Sequence, residues 1–255
     1  MITRPELAQK ARTLGFHLYQ AEKDYLQHHF LRALYSKTTT EFVFKGGTCL
    51  QKTMGLDRFS EDLDFTVVSG GRPLEWIENA LALVGDFNPR LSRKSIDERS
   101  ASFKVQLQGP LFTGEAKSMQ HLTLELSLRE KPLLPSQARR VVPPYDDIRP
   151  YTVYALDTSE ILAEKVRALL TRDKARDVYD AWFLLRKGIR TDLDSVNQKL
   201  NYYEVRFARK EFASAVQSKA KIWRSELGVL LKSPPEFGPI ADEVVTSVLS
   251  MLHDE

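Results

Sequence analysis

A glycine pair and two closely spaced carboxylates lie in one stretch of the chain, from Val43 to Val67. The sequence VFKGGTCL begins at Val43, and FSEDLDF begins at Phe59 after an interval of eight residues. Successive side chains of a β-strand point to opposite faces, so Asp62 and Asp64 point one way and the apolar residues between and after them point the other. Two carboxylates this close repel each other unless a positive group lies between them, and a divalent metal is the usual one. The stretch therefore predicts a strand, a glycine turn, a short helix and a second strand that carries a metal site.

The glycine pair also predicts a place for a phosphate. Glycine allows a tight turn whose backbone N–H groups approach a phosphate closely, and Gly46-Gly47 precedes the predicted helix. Metal-bound carboxylates beside a phosphate cradle are what phosphoryl or nucleotidyl transfer requires. Arg58 and Ser60, just before the second strand, offer a guanidinium and a hydroxyl to a triphosphate. A turn residue that caps local backbone is the other interpretation of Ser60.

Composition limits the class of protein. The 255 residues are 42% hydrophobic, enough for a core in one large domain or two modest ones. There is no apolar run of the length of a membrane span, and the N-terminal residues lack the apolar block of a secretory signal. The single cysteine, Cys49, excludes an internal disulfide and a cysteine-rich zinc site. We expect a cytoplasmic protein without a membrane partner.

Charge is unevenly distributed along the chain. From Arg190 to Lys232 there are nine Lys or Arg residues and five Asp or Glu, whereas Ser233 to Glu255 holds five acids and no Lys or Arg. A basic segment followed by an acidic tail fits contact with a polyanion, although a solvated charged helix surface has the same composition.

The hydrophobic pattern changes near residue 150. Before it, alternation predicts strands at Phe42–Phe44, Leu63–Val68, Phe103–Leu107 and Leu122–Leu128, between helices at 5–14, Phe16–Ser36, Thr48–Leu56 and Pro73–Val84. Residues 130–150 hold five prolines and predict a linker or long loop. Helices are predicted after it, at Thr158–Thr171, Arg176–Lys187, about Leu193–Lys221 and Ile240–Leu252. The expected fold is α+β, with a mixed sheet and flanking helices in residues 1–150 and a helical lobe in residues 151–255.

Two further groups of residues extend the predicted site. Glu125 lies on the polar face of its strand and is a candidate third metal ligand, although an ordinary outward charge would look the same. In the helical half, Lys165, Arg172 and Arg176 share one face if the segment is a continuous helix, and would neutralise a triphosphate. Asp177, together with Asp180, would orient these cations or the acceptor, whereas a solvated charged helix is the alternative.

Four blocks, taken in order, resemble the AbiEii/MenT-type toxin nucleotidyltransferases of the DNA polymerase β-like superfamily. They are Lys45-Gly46-Gly47-Thr48-x-Leu50, Arg58-Phe59-Ser60-Glu61-Asp62-Leu63-Asp64, Leu162-Ala163-Glu164-Lys165 and Arg172-x-x-x-Arg176-Asp177-x-x-Asp180. The matching span is about residues 40–185. Each block alone is common, but the ordered set is specific. The chain departs from the family at Glu125, where an aspartate is expected.

The resemblance implies a toxin of a toxin–antitoxin or abortive-infection system, with a cognate antitoxin as its partner. It implies Mg²⁺-dependent transfer of a nucleotide from an NTP to an acceptor, in several members the 3′ end of tRNA, which blocks translation. The helical lobe would complete the active site. The implied catalytic residues are Asp62, Asp64, Lys165 and Asp177, and the implied metal ligands are Asp62, Asp64 and Glu125. The implied nucleotide-binding residues are Lys45, Gly46, Gly47, Thr48, Arg58, Ser60, Arg172 and Arg176.

Two other functions fit the same residues. The enzyme would be the same but its acceptor a protein side chain or a small molecule, or the chain would be a non-catalytic nucleotide-binding regulator. A pure binder has no need of the repelling carboxylate pair, so Asp62 and Asp64 favour an enzyme.

Overall fold

Seven β-strands pair into one mixed sheet in the described part of the chain. The computed structural model describes residues 1–68 and 72–252, apart from the side chains of residues 93 and 94. The strands are β1 (Phe42–Lys45), β2 (Asp62–Val67), β3 (Arg90–Ile96), β4 (Ser100–Leu107), β5 (Gln120–Ser127), β6 (Gln137–Val141) and β7 (Tyr151–Ala155). Their order across the sheet is β3-β4-β5-β2-β1-β7-β6. The β1–β7 and β2–β5 pairs are parallel and the others are antiparallel, which confirms the predicted mixed sheet.

Helices precede, interrupt and follow the strands. Those before residue 156 are α1 (Arg4–Leu14), α2 (Leu18–Tyr35), α3 (Gly46–Met54) and α4 (Pro73–Ala82). Those after it are α5 (Thr158–Thr171), α6 (Arg176–Arg186), α7 (Leu193–Asn201), α8 (Arg209–Ser218), α9 (Ala220–Leu227) and α10 (Phe237–Met251). None of the described helices has the length and apolar character needed to cross a membrane.

The chain divides into two compact units, each with its own core. The sheet unit consists of Met1–Gly55, Phe59–Pro132 and Ser136–Leu156. The helical unit begins at Asp157 and also takes in two short segments from earlier in the chain, Leu56–Arg58 and Leu133–Pro135.

The second of these segments is held within the helical unit by a buried acid. Glu160 of α5 is 1% exposed, and its carboxylate accepts hydrogen bonds from the backbone N–H groups of Leu133 (2.9 Å) and Leu134 (3.1 Å). Lys199 of α7, also 1% exposed, pairs with Glu160 at 2.5 Å and with Glu164 at 3.2 Å. The buried Glu160 carboxylate thus has two kinds of partner within the helical unit: the ammonium of Lys199 in α7, and the backbone N–H groups of an earlier segment.

The pattern-based prediction misses three strands and merges three helices. The predicted loop at 130–150 contains β6, in which the terminal Val141 is the one buried side chain, so the sequence shows no alternation there. The short strand β7 follows immediately after the predicted loop. Strand β3 is equally polar. The predicted helix from about Leu193 to Lys221 is instead α7, α8 and the start of α9. The backbone turns between α7 and α8, at Glu204, whose φ is +57°. Residues 253–255, at the end of the acidic tail, lie outside the described residues.

Candidate active site

Strand register brings one predicted metal ligand beside another. Asp64 of β2 is paired with Lys45 of β1 on one side and with Glu125 of β5 on the other, and Glu125 is paired with Ser102 of β4. Directly paired residues share a face of a sheet. These four residues therefore form a polar row across four strands, and Asp62, two residues along β2, lies on the same face.

The glycine turn packs directly on this row. Gly46 has a φ of +74°, which side-chain-bearing residues rarely adopt, and a Cβ at this position would lie 2.3 Å from Oδ2 of Asp64. Glycine is therefore required here both by the backbone conformation and by the carboxylate against it. The first and second sequence motifs are therefore in contact at this position.

Thr48 supports the strand rather than capping the helix. Helix α3 begins at Gly46, with Lys45 in the N-cap position, two residues before the predicted start at Thr48. The helix starts earlier because the glycine turn itself closes into it. The buried Thr48 hydroxyl donates instead to the backbone carbonyl of Asp62, at 2.5 Å. This bond ties α3 to the start of the strand that carries both aspartates.

Lys45, a predicted nucleotide-binding residue, has a protein partner. Its ammonium lies 2.8 Å from Oε2 of Glu130, and the two residues are only 8% and 4% exposed. The sequence does not identify Glu130 as a site residue, because nothing in its local pattern separates it from other charges that follow a strand. This ion pair lies beside Asp64, to which Lys45 is paired in the sheet.

Two glutamines, also not predicted, fix the loop that leads to the aspartates. The side chain of Gln27, which is fully buried, donates to the carbonyls of Ser60 (3.1 Å) and Glu61 (2.9 Å). The Ser60 N–H donates to Oε1 of Gln51 at 3.2 Å. Ser60 is 8% exposed, and its backbone is held from both helices α2 and α3. Protein side chains therefore hold the backbone of this loop.

The orientation of Gln51 depends in turn on a buried acid. Its Nε2 donates to Oδ1 of Asp24 at 3.1 Å, and Tyr145 donates to Oδ2 of the same carboxylate at 2.9 Å. Burial alone would raise the pKa of Asp24, but the adjoining Lys52 ammonium holds it below the ordinary value. An ionised carboxylate, which can only accept hydrogen bonds, thus fixes which end of the Gln51 amide faces Ser60.

The carboxylates offer the donor chemistry of a magnesium site, but three do not converge. Asp62, Asp64 and Glu125 are all half-buried on one face, and hard carboxylate oxygens are the ligands that Mg²⁺ prefers. Glu125 accepts a hydrogen bond from the Ser102 hydroxyl at 2.8 Å. Within residues 1–68 and 72–252, no three His, Cys, Asp or Glu side chains stand together as a metal site. The Asp62–Asp64 pair fits a metal by its chemistry, and the role of Glu125 stays a prediction.

In the helical unit, the predicted residues form a buried ionic network. Arg58 donates two hydrogen bonds to Asp180, at 2.6 and 2.7 Å. The Lys165 ammonium lies 2.6 Å from Asp180 and 2.9 Å from Asp177. Arg172 donates to both oxygens of Asp177, at 2.7 and 2.8 Å. Residues from the second, third and fourth motifs thus share two carboxylates.

Charge compensation keeps both aspartates ionised. Asp177 and Asp180 are fully buried, which by itself raises the pKa of a carboxyl. Lys165 and Arg172 nevertheless hold the pKa of Asp177 well below its ordinary value, and Arg58 and Lys165 lower that of Asp180. The interpretation of Lys165 and Asp177 as a solvated helix pair is therefore wrong.

The basic residues do not share a helix face as predicted. Helix α5 ends at Thr171, and Arg172 has extended backbone, so the chain leaves the helix before α6 begins at Arg176. Arg176 instead pairs with Glu226 of α9 at 3.2 Å. The half-exposed Arg172 reaches the Lys165 cluster through Asp177 rather than through helical spacing.

Solved structures share this fold. MenT4, a nucleotidyltransferase toxin from Mycobacterium tuberculosis H37Rv, is 23% identical, with a TM-score of 0.65, over 97% of this chain and 89% of that one. JHP933 from Helicobacter pylori is 20% identical, with a TM-score of 0.59, over 91% of this chain and 94% of that one. No curated protein matches the sequence.

The family is shown by sequence. The family model described as "Nucleotidyl transferase AbiEii toxin, Type IV TA system" matches residues 29–246, which include all four motifs and most of both units. The chain therefore belongs to the AbiEii family of nucleotidyltransferase toxins of type IV toxin–antitoxin systems.

Proposed function

We propose that this protein transfers a nucleotide from an NTP to the 3′ end of tRNA in a Mg²⁺-dependent reaction, and so blocks translation. The observation that carries the proposal is the contact between Gly46 and Asp64, which sets the N-terminus of α3 against the carboxylate pair. The first N–H groups of a helix have no intrahelical partner and favour an anion. A triphosphate bound there would have its phosphates beside Asp62 and Asp64.

Each candidate site residue of the sheet unit has its own proposed role. Asp62 and Asp64 would hold the metal, with Glu125 as a candidate third ligand, and a bound Mg²⁺ would polarise the α-phosphate and lower the pKa of the attacking hydroxyl. The backbone of Gly46-Gly47 would cradle phosphate oxygens, and Ser60 would donate to one. Lys45 would act through its charge, since Glu130 already holds its ammonium.

In the helical unit, we propose Lys165 as the catalytic cation and Asp177 as its positioning group. An ammonium has three donor hydrogens, and in the described part of the chain Asp177 and Asp180 account for two, which leaves one for a phosphoryl oxygen. The half-exposed Arg172 and Arg176 are the proposed additional phosphate contacts. Arg58 donates two hydrogen bonds to Asp180, so we propose that it holds Asp180 in place and does not make the nucleotide contact implied by the resemblance.

The acceptor is tested by following the label. The purified protein is incubated with each α-labelled NTP and Mg²⁺, together with total tRNA or total cell protein, and Asp62→Asn serves as the inactive control. We expect label on tRNA with the wild type and none with D62N. Label on protein alone would show that the acceptor is a protein and not tRNA. Equal labelling by D62N would show that Asp62 is not needed for catalysis.

The toxin and partner assignments have a cellular test. We expect the wild-type protein to slow growth when it is produced without its antitoxin, and D62N to leave growth unchanged. Equal growth with both proteins would contradict the proposed toxic action.

A further inference from the structure

The strand register places a cation on the carboxylate face, away from the glycine turn. Asp62 of β2 is paired with Thr123 of β5, which is paired with Lys104 of β4. Lys104 therefore lies on the same face as Asp62, two strand spacings or about 10 Å across the sheet. His121, two residues before Thr123, lies on that face as well and is paired with Gln106.

We propose that Lys104 and His121 bind the sugar–phosphate backbone of a nucleic-acid acceptor. The proposal rests on the proposed function, because it assigns the acceptor side of the same site. Neither residue belongs to the four motifs. Together they extend the site from the carboxylate pair on β2 over strands β5 and β4.

The sheet order determines which substrate meets these residues. In nucleotidyl transfer, the acceptor oxygen bonds to the α-phosphorus as the bond to pyrophosphate breaks, and the hydroxyl proton passes to solvent. The entering and leaving oxygens lie roughly in line on opposite sides of the phosphorus. The glycine turn lies on the β1 side of Asp62 and Asp64, whereas Lys104 and His121 lie on the β5–β4 side. If pyrophosphate leaves toward the glycine turn, the acceptor arrives over β5 and β4.

The chemistry of the two side chains suits phosphate. Lys104 is exposed, and the described residues give its ammonium no ion pair, so it is available to a phosphate. His121 is half-buried, and its solvent-inaccessible Nδ1 has no hydrogen-bond partner among the described residues. A bare acceptor nitrogen is tolerated better than a bare N–H, which favours the tautomer that donates from Nε2.

The surroundings of His121 are positive. Partial burial lowers its pKa, and the Lys104 and Lys23 ammonium groups lower it further. Lys23 itself pairs with Glu61 at 3.8 Å, so an approaching phosphate would be attracted mainly by Lys104 and would accept a hydrogen bond from the imidazole N–H. A cluster of this kind fits the regularly spaced phosphates of a nucleic acid better than a neutral acceptor.

The test is equilibrium binding of total tRNA at several salt concentrations, without NTP or metal, so that no transfer is needed. Lys104→Ala should weaken binding about two- to fivefold near 0.1 M salt and reduce the salt slope by about one, as expected for one lost phosphate contact. Lys104→Glu should weaken it further, and His121→Ala should weaken it with a smaller change in slope. Lys37→Ala removes an exposed charge before β1, at the end of that strand away from Lys45, and should bind as the wild type does.

Steady-state transfer gives a second readout. In Lys104→Ala we expect a higher KM for tRNA, with the KM for NTP and the kcat at saturating tRNA unchanged. If Lys104→Ala and Lys104→Glu both bind tRNA with the salt slope of the wild type and have its KM for tRNA, the proposal is overturned while the proposed function stays intact. A wild-type protein that labels no nucleic acid would overturn both.

Discussion

Arg58 and Asp180 lie 122 residues apart in the chain, yet they form a two-pronged ion pair in which both side chains are buried. Arg58 belongs to the same sequence motif as the proposed catalytic aspartates, Asp62 and Asp64, but its partner Asp180 is in α6. Its planar guanidinium matches the two carboxylate oxygens, a geometry that lysine cannot reproduce. The first residue of that motif therefore stabilises the helical unit.

We expect Arg58→Ala to lower the free energy of unfolding by about 3–5 kcal/mol, because it leaves the buried Asp180 with Lys165 as its remaining close cation. Chemical denaturation of the whole chain measures the change. Arg186→Ala is the matched control, since its pair with Glu243 is mostly exposed and is worth at most about 1 kcal/mol. Equal losses in the two variants would contradict this account of Arg58.

Gly46→Ala should abolish transfer, because the new Cβ would displace the Asp64 carboxylate that lies 2.3 Å away. The comparison is Gly55→Ala at the other end of α3. Gly55 has nearly the same φ, +75°, but open space around the added Cβ. It should therefore lose only about 1–2 kcal/mol of stability from left-handed backbone strain and keep its activity. Similar transfer rates for the two folded variants would show that the contact with Asp64 is dispensable.

Lys165→Met should impair both stability and catalysis. Lys165 neutralises two buried aspartates, so its loss should destabilise the protein by about 3 kcal/mol. The rate is therefore compared at a temperature where the variant is folded, as judged by circular dichroism. There we expect a rate about 10²–10³ lower than that of the wild type, from the loss of transition-state charge stabilisation. A folded variant with the wild-type rate would make Lys165 purely structural.

The stability of the sheet unit should fall as the pH drops below about 6.5. Burial lowers the pKa of His28 to about 3, and the nearby Lys52 ammonium contributes. Between these values the unfolded chain takes up a proton that the folded chain does not, so stability is complete above the unfolded pKa and declines toward the folded one. The expected slope is about 1.4 kcal/mol per pH unit for this one group. Denaturation at pH 7 and pH 5 measures it, and His28→Gln should show a smaller difference. An identical difference in the variant would assign the effect elsewhere.

Sequence predicted best those elements in which one face is apolar. The alternation of β5 is reproduced in its burial, with the leucines inside and Thr123, Glu125 and Ser127 half-exposed. The bounds of α5, Thr158–Thr171, agree with the prediction, because Asp157 caps its first turn. Strand β6 escaped prediction because an edge strand with polar side chains on both faces has no hydrophobic period.

The sequence identifies residues of the candidate site more readily than the side chains that they contact. The motifs identify Lys45, Arg58 and Lys165, but whether each meets a ligand or another side chain depends on contacts between distant parts of the chain. Glu130 lies 85 residues from Lys45, and no local pattern links the two. Gln27 and Gln51 likewise act on backbone carbonyl and N–H groups, whose positions follow only from the packing of α2 and α3.

The two early segments of the helical unit also limit how the gene can be divided. A polypeptide starting at Asp157 would contain all of α5–α10 but would lack the guanidinium that pairs with Asp180 and the two amide groups that bind Glu160. In such a fragment Asp180 would keep Lys165 and Glu160 would keep Lys199, but each of these interior acids would lose its partner from the earlier segment. The C-terminal helices are contiguous in sequence, but some of the groups that pair with their buried charges come from earlier segments. A split of the gene at Asp157 would separate these groups from the helices.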